Sequence, residues 1–226
     1  MNLDRKKLSL SALVKVVLGI AIIGALLFLP AGTFYFDGAW RLCAVLFIPM
    51  LVLGVVMLIF SPDLLRRRLA SKEERSTQQG VVRYTGLLFI LSFVVAGLDF
   101  RYGWSQMPQW TVWAAMGLFL LGYGLYGEVM RENVWLSRNI TVEQGQQVVS
   151  TGLYSIVRHP MYTSTIVMFL AMPLVLGSYW ALIPMLFYIP IIAIRILDEE
   201  QLLHSDLEGY TEYCVKVHWR LIPFIW

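Results

Sequence analysis

Charge is scarce in this chain. Asp, Glu, Lys and Arg make up 15% of its 226 residues, against roughly 25% in a soluble domain. That shortage sets aside an ordinary water-soluble fold. Cysteine is nearly absent: Cys43 and Cys214 are the two present. They fall near opposite membrane faces in the topology set out below, and neither belongs to a metal-ligand cluster. No disulfide and no metal site is expected. Cys214 also lies too far from the C-terminus to be a prenylation signal. A dinucleotide fingerprint is missing as well, because Gly122-Tyr123-Gly124 has no strand before it and no third glycine at the required spacing.

What is present is apolar sequence in long runs. The hydrophobic share is 58% and the mean hydropathy +0.66, which fits an integral membrane protein. Several runs approach or exceed the roughly 20 residues that span a bilayer. Val16–Phe36 carries no charge until Asp37, Leu42–Pro62 lies between Arg41 and Asp63, and Tyr84–Leu98 ends at Asp99. Tyr102–Gly127 is uncharged, with its helix expected to begin near Pro108. Met161–Ile194 is too long for one span, and Gly177-Ser178 near its middle suggests a hairpin of two short ones. The expected fold is an all-α integral membrane protein of about six transmembrane helices with a C-terminal helical hairpin and a cytoplasmic cofactor pocket. Residues 1–100 form a transmembrane scaffold in this reading, and residues 101–226 form the functional core.

Lysine and arginine in the loops orient such a chain. Arg5, Lys6, Lys7, Lys15, Arg66, Arg67, Arg68, Lys72, Arg75, Arg83, Arg131, Arg138, Arg158, Arg195, Lys216 and Arg220 fall on one side. Arg41 and Arg101 alone fall on the other. Both termini are therefore expected in the cytoplasm. A basic start and an apolar run also fit a cleaved signal peptide, but the run is long and no clear small-x-small site follows, so a retained helix is expected. The arginine triplet reads as a topology signal ahead of a specific lipid site. Asp99 and Arg101, near the outer end of the third helix, can reach water there. The glycines of the fourth helix, Gly117, Gly122, Gly124 and Gly127, read as close-packing positions. Ile140-Thr141-Val142 and Val148-Val149 flank a glycine-containing turn, which suggests a small hairpin or folded loop able to cover a site.

Two polar segments frame the final hairpin. In the first, Pro160 keeps His159 out of the α conformation and can itself start the next helix. His159 and Arg158 then stand at a helix N-terminus, which attracts anionic groups such as carboxylate. In the second, Arg195 and Glu199 are four apart and share a helix face, and Glu200 stands four before His204. Both segments leave the hairpin on the same side, so they can meet. A pocket with cations on one wall and carboxylates on the other suits a zwitterionic, ribose-bearing molecule. The plainer reading is a set of interfacial ion pairs with a snorkelling arginine. Beyond Glu208-Gly209, the aromatics up to Trp226 suggest a compact segment lying against the interface.

Gly152-Leu153-Tyr154, Val157-Arg158-His159-Pro160-x-Tyr162, Glu199-Glu200, Gly209-Tyr210-x-x-Tyr213 and Arg220-x-x-Pro223 occur in this order over roughly the last ninety residues. In this the sequence resembles the isoprenylcysteine carboxyl methyltransferase superfamily, in its bacterial membrane branch, which is related to phospholipid N-methyltransferases. Gly122-x-Gly124 adds a weaker likeness to the phospholipid branch. The resemblance implies S-adenosylmethionine bound at the cytoplasmic end of the last helices of a bacterial inner-membrane enzyme. Gly152, Leu153, Tyr154, Arg158, His159, Pro160 and Tyr162 would form one side of its pocket, with Glu200, His204, Tyr210 and Tyr213 on the other. Arg195 and Glu199 would stand at the transferred methyl. The implied partners are a lipophilic or small-molecule methyl acceptor and membrane lipid, with no nucleic acid. Carboxylate, thiol, amine and phospholipid headgroup all remain open as acceptors, and the oligomeric state is undetermined. Two other readings stand beside it: an NADPH-dependent sterol or isoprenoid reductase, and a non-catalytic membrane protein that binds lipid or a partner subunit.

Overall fold

The structure is a computed structural model that describes residues 3–69, 76–136 and 141–226. Lys72, Arg75, Arg138 and Ile140, used in the topology and loop readings, lie outside the described residues. The described residues are mostly helical and contain no strand. In order they form α1 (Leu3–Ala31), α2 (Asp37–Phe60), α3 (Pro62–Leu69), α4 (Ser76–Tyr102) and α5 (Gln109–Glu132). A 3-10 turn (Gly152–Ser155) follows, then α6 (Pro160–Val175), α7 (Leu182–Leu186), α8 (Tyr188–Asp206) and α9 (Tyr210–Lys216).

Four of these helices, α1, α2, α4 and α5, are long and apolar enough to cross a membrane. The chain is therefore read as an integral membrane protein. The last two expected spans are not among these four. α6 has 16 residues, about 24 Å at 1.5 Å per residue, short of a hydrocarbon core of about 30 Å. The return limb of the hairpin is broken into α7 and α8, and only the first part of α8, up to Ile194, is apolar. Proline recurs through this region at Pro173, Pro184 and Pro190. Each removes a backbone donor and interrupts a continuous rod.

With water absent on both sides of a lipid-facing helix, close approach of backbones replaces the hydrophobic effect as the source of cohesion. Gly97 brings α4 against α1, where a Cβ would sit 2.7 Å from Leu27 O. Gly122 does the same for α5 and α6, where a Cβ would meet Met168 Cγ at 2.5 Å. The other three glycines of α5 do not repeat this. Gly117 and Gly124 face open space, and Gly127 has Leu53 at 3.6 Å. The main core then fills with Leu27, Phe36, Leu42, Phe119, Met172 and Val175.

The end of the bundle away from the polar segments holds a buried clasp. Asp99 is 2% exposed, so it does not reach water as its position in the sequence suggests. Its carboxylate accepts from the Ser105 backbone N–H at 2.7 Å and the Ser105 hydroxyl at 2.6 Å. It also accepts from the Ser178 hydroxyl, at the hairpin turn. Ser92 donates to Ala181 O at 2.9 Å beside it. The clasp ties the α4–α5 connection to the turn after α6. That turn fixes where α6 and α8 point at the opposite end.

Candidate active site

At that opposite end the two polar segments meet. Pro160 occupies the first turn of α6 and His159 caps it with φ −125°, as an X-Pro pair requires. The C-terminal segment holds this corner from behind. Arg158 N–H donates to Trp219 O at 2.8 Å, His159 N–H to Arg220 O at 2.9 Å, and the Thr163 hydroxyl to Leu221 O at 2.8 Å. The aromatic tail thus backs the α6 entrance without lining the cleft.

Glu200 is the centre of an ion-pair hub. Arg158 Nε lies 3.0 Å and His159 Nε2 3.2 Å from its Oε1, and Arg220 Nε donates to its Oε2 at 2.8 Å. Glu200 is 5% exposed. Burial would raise its carboxyl, but the bonds from His159 and Arg220, with the charges of His159 and Arg158, hold it down at about 2. One carboxylate thereby anchors both the α6 entrance and the tail to α8.

Glu199 is used differently. The Tyr162 hydroxyl donates to Glu199 Oε2 at 2.5 Å and accepts from Arg195 Nε at 2.8 Å. His159 Nδ1 stands 4.0 Å from the other Glu199 oxygen. The i, i+4 pair on α8 therefore converges on one tyrosine from α6. Among the described residues no hydrogen-bond donor lies closer to that second Glu199 oxygen, and Glu199 borders a cavity.

Two cavities adjoin this tyrosine. The first is a polar cleft lined by Tyr154, Arg158, His159, Tyr162, Arg195, Glu199, Tyr210 and Tyr213. Asn133, Trp135 and the loop residues Thr141 and Gln146–Val149 complete its wall. The second is a mostly apolar chamber of about 720 Å³ between α1–α6 and α8. Met161, Tyr162 and Arg195 line both. The cleft and the chamber are thus two rooms with a shared wall, and that wall carries the Tyr162–Arg195–Glu199 relay.

The cleft carries unfilled hydrogen-bonding capacity. Tyr210 is 4% exposed, and its hydroxyl has no partner among the described residues. Burial pushes that phenol, and Tyr213 beside it, well above the ordinary range. Tyr213 is satisfied by donating to Tyr154 O at 2.6 Å, and the Tyr154 hydroxyl accepts from Asn133 Nδ2 at 3.0 Å. Burial raises Tyr154 to about 12. All three phenols are neutral donors at neutral pH.

Five of the thirteen expected site residues do not line the cleft. Glu200 is turned away into its hub. Gly152 has φ +52°, and a Cβ there would lie 2.7 Å from Glu132 Cδ, so its place is the turn beneath Tyr154. Leu153 packs with Val129 and Tyr154 in a small apolar cluster. Pro160 is buried as the start of α6. His204 does not pair with Glu200; it lies 3.1 Å from Thr211 Oγ1 and edge-on to Tyr210. Conversely, Asn133, Trp135 and Met161 line the cleft without standing out in the sequence. The stretch 141–150 is a folded loop, not a strand pair, closed by Gln146 N–H to Glu143 O at 3.0 Å. Arg67 braces it, donating to Glu143 Oε2 at 2.9 Å and to Val134 O at 2.6 Å.

Comparison with known proteins bears on the same region. Residues 110–206 match the family model for phospholipid methyltransferase. That span contains α5, the loop, α6 and α8, and hence the Tyr162–Arg195–Glu199 relay. The match, together with the four apolar helices, supports a membrane methyltransferase. The chain is also similar to mouse (Mus musculus) Delta(14)-sterol reductase, at 31% identity over 91 residues. This covers 38% of the chain and 22% of the reductase.

Proposed function

We propose that this chain transfers the methyl group of S-adenosylmethionine to a lipophilic acceptor, with the donor in the polar cleft and the acceptor in the apolar chamber. The observation that carries the proposal is the shared wall: one tyrosine and one arginine border a polar room and an apolar one. Methyl transfer to a membrane molecule needs such a junction, because the donor is water-soluble and the acceptor is not. The cleft suits the donor. Arg158 and His159 stand at the α6 N-terminus where a carboxylate is favoured. Glu199 offers a negative charge to an ammonium or sulfonium, and the unpartnered Tyr210 hydroxyl offers a further hydrogen bond. Tyr154, Trp135 and Tyr213 supply faces for a planar base.

When bound, S-adenosylmethionine supplies an electrophilic methyl carbon: an acceptor lone pair forms the new bond as the carbon–sulfur pair returns to sulfur, giving S-adenosylhomocysteine. The protein's share is alignment and exclusion of water. Tyr162 locks Arg195 and Glu199 in one geometry. Glu199 takes up a proton if the acceptor atom sheds one, and Arg195 holds an anionic part of the acceptor at the junction. The cytoplasm is the side that the lysine and arginine bias favours for the cleft, and a bacterial inner membrane is the setting that the resemblance favours.

The similarity to a sterol reductase supports a second reading, hydride transfer from NADPH to an isoprenoid lipid in the same two rooms. Calorimetry of the detergent-solubilised protein separates the two. Binding of S-adenosylhomocysteine without binding of NADPH is the expected result, and the reverse rejects methyl transfer. Glu199→Gln is expected to bind S-adenosylhomocysteine and to transfer methyl poorly. Full turnover by that variant removes Glu199 from the reaction.

A further inference from the structure

One cation supports the wall of the polar cleft from behind. Arg67 belongs to α3, whose Leu64 packs with Val129, Leu136 and Tyr154, so this short helix lies against the end of α5. The guanidinium makes three contacts at once. Nη1 donates to Val134 O at 2.6 Å and Nη2 to Glu143 Oε2 at 2.9 Å. The group also lies over the Trp135 ring, 5.6 Å from its centroid. Donors in the plane of a guanidinium leave its flat face free for such a ring. The Arg67 and Glu143 side chains are 29% and 36% exposed, so their ion pair adds little stability. What the arginine contributes is placement.

Trp135 is the residue placed. Its backbone N–H donates to Asn133 Oδ1 at 3.0 Å, the carbonyl before it accepts from Arg67, and Arg67 covers its ring. Trp135 lines the cleft and Arg67 does not, so the cation meets the indole away from the cleft. The cleft's tyrosines, Tyr154, Tyr162, Tyr210 and Tyr213, are all buried and packed in apolar clusters. Trp135 is only half-buried, which leaves it a ring face to offer.

We infer that Trp135 is the platform on which the adenine ring of S-adenosylmethionine stacks, and that Arg67 is the positioning residue that holds this platform. The inference rests on the methyltransferase reading. Stacking on an aromatic ring is a sequence-tolerant source of affinity for any base. A ring fixed in advance loses less freedom when the base arrives. Arg67 precedes residues 110–206, so the stretch that matches the family model does not contain this brace.

The test is calorimetric titration of S-adenosylhomocysteine into the full-length protein in detergent. Trp135→Leu is expected to weaken binding about tenfold and Arg67→Gln about threefold. In the Trp135→Leu background Arg67→Gln is expected to weaken it no further, because the ring through which it acts is gone. An arginine that merely braces the loop through Glu143 would cost the same in both backgrounds, and that result overturns the inference. Unchanged affinity in either single variant also overturns it. Photolabelling of the wild type with an azido-adenine analogue of S-adenosylmethionine gives a second reading that needs no variant to fold. Label is expected on the peptide that carries Trp135, and label confined to other peptides overturns the inference. All of these adverse results leave the methyltransferase reading standing. Absence of S-adenosylhomocysteine binding by the wild type overturns both.

Discussion

Replacing Glu200 by glutamine tests the ion-pair hub directly. The substitution keeps shape and removes charge, leaving Arg158 and Arg220 without their carboxylate. The folded carboxyl titrates at about 2 against an ordinary 4.5. The difference corresponds to about 3 kcal/mol at 1.36 kcal/mol per pH unit, within the range for breaking a buried pair from one side. The direction in pH follows from the same shift. Between pH 4.5 and pH 2 the unfolded chain binds this proton and the folded one does not, so the contribution is full above about pH 5 and declines as the pH falls. Thermal melting in detergent followed by tryptophan fluorescence reads this out. At pH 7 Glu200→Gln is expected to melt about 10 °C below the wild type, and the gap is expected to narrow as the pH falls from 5 towards 3. Arg158→Gln made in the Glu200→Gln background should cost clearly less than in the wild type, because the pair it breaks is already gone. A variant that melts with the wild type at pH 7, or a gap that stays the same across that pH range, refutes the hub.

Three further outcomes follow from the geometry. Tyr162→Phe removes the bridge between Arg195 and Glu199 and is expected to lower kcat about 10- to 100-fold, the equivalent of about 1–3 kcal/mol; single-turnover methyl transfer checks it. Tyr210→Phe deletes a buried hydroxyl that has no partner among the described residues. It should leave the melting temperature unchanged or slightly higher while weakening S-adenosylhomocysteine binding severalfold by calorimetry. Asp99→Ala leaves the Ser105 and Ser178 donors buried without their acceptor and should cost about 3 kcal/mol of stability. Residual methyl transfer measured well below the new melting temperature should persist, since the clasp lies at the far end of the bundle.

The sequence was most informative where chemistry is costly in lipid. His159-Pro160 announced a fixed helix entrance, and the structure has that entrance. Arg195 and Glu199 announced a shared face, and they do converge, though on Tyr162. Spacing along one helix carries no information about a residue from another helix that will be hydrogen-bonded in between. The same limit explains Glu200 and His204: four residues apart on α8, they are drawn to different partners, one to Arg158, His159 and Arg220, the other to Thr211. Depth along a helix suggests that Asp99 reaches water, whereas Ser105 and Ser178 come from two separate loops to enclose it. Among the described residues four helices are long and apolar enough to cross a membrane, and the two spans expected of the final hairpin are not among them, because hydropathy counts apolar residues and not continuity. The prolines of 173–190 and the break at Phe187 turn the final apolar run into short pieces. Asn133 and Trp135 were invisible as site residues because their role depends on the loop folding back over the cleft, braced by Arg67.

The short pieces have a consequence for function. A full-length span would carry its polar end to the membrane surface. α6 begins at His159, and α8 turns polar at Arg195, only a few residues past Ile192, which still lines the chamber. The polar relay therefore lies against the end of an apolar cavity. Tyr162 is where that boundary falls: its ring packs with Met185, Tyr188 and Ile192 in an apolar cluster, while its hydroxyl is bonded to Arg195 and Glu199. A lipophilic molecule can then reach the relay without leaving an apolar surface. A water-soluble one reaches it from the cleft without entering one. Lengthening α6 by a turn would move Tyr162 away from Arg195 and Glu199, which is a physical reason for α6 to be short.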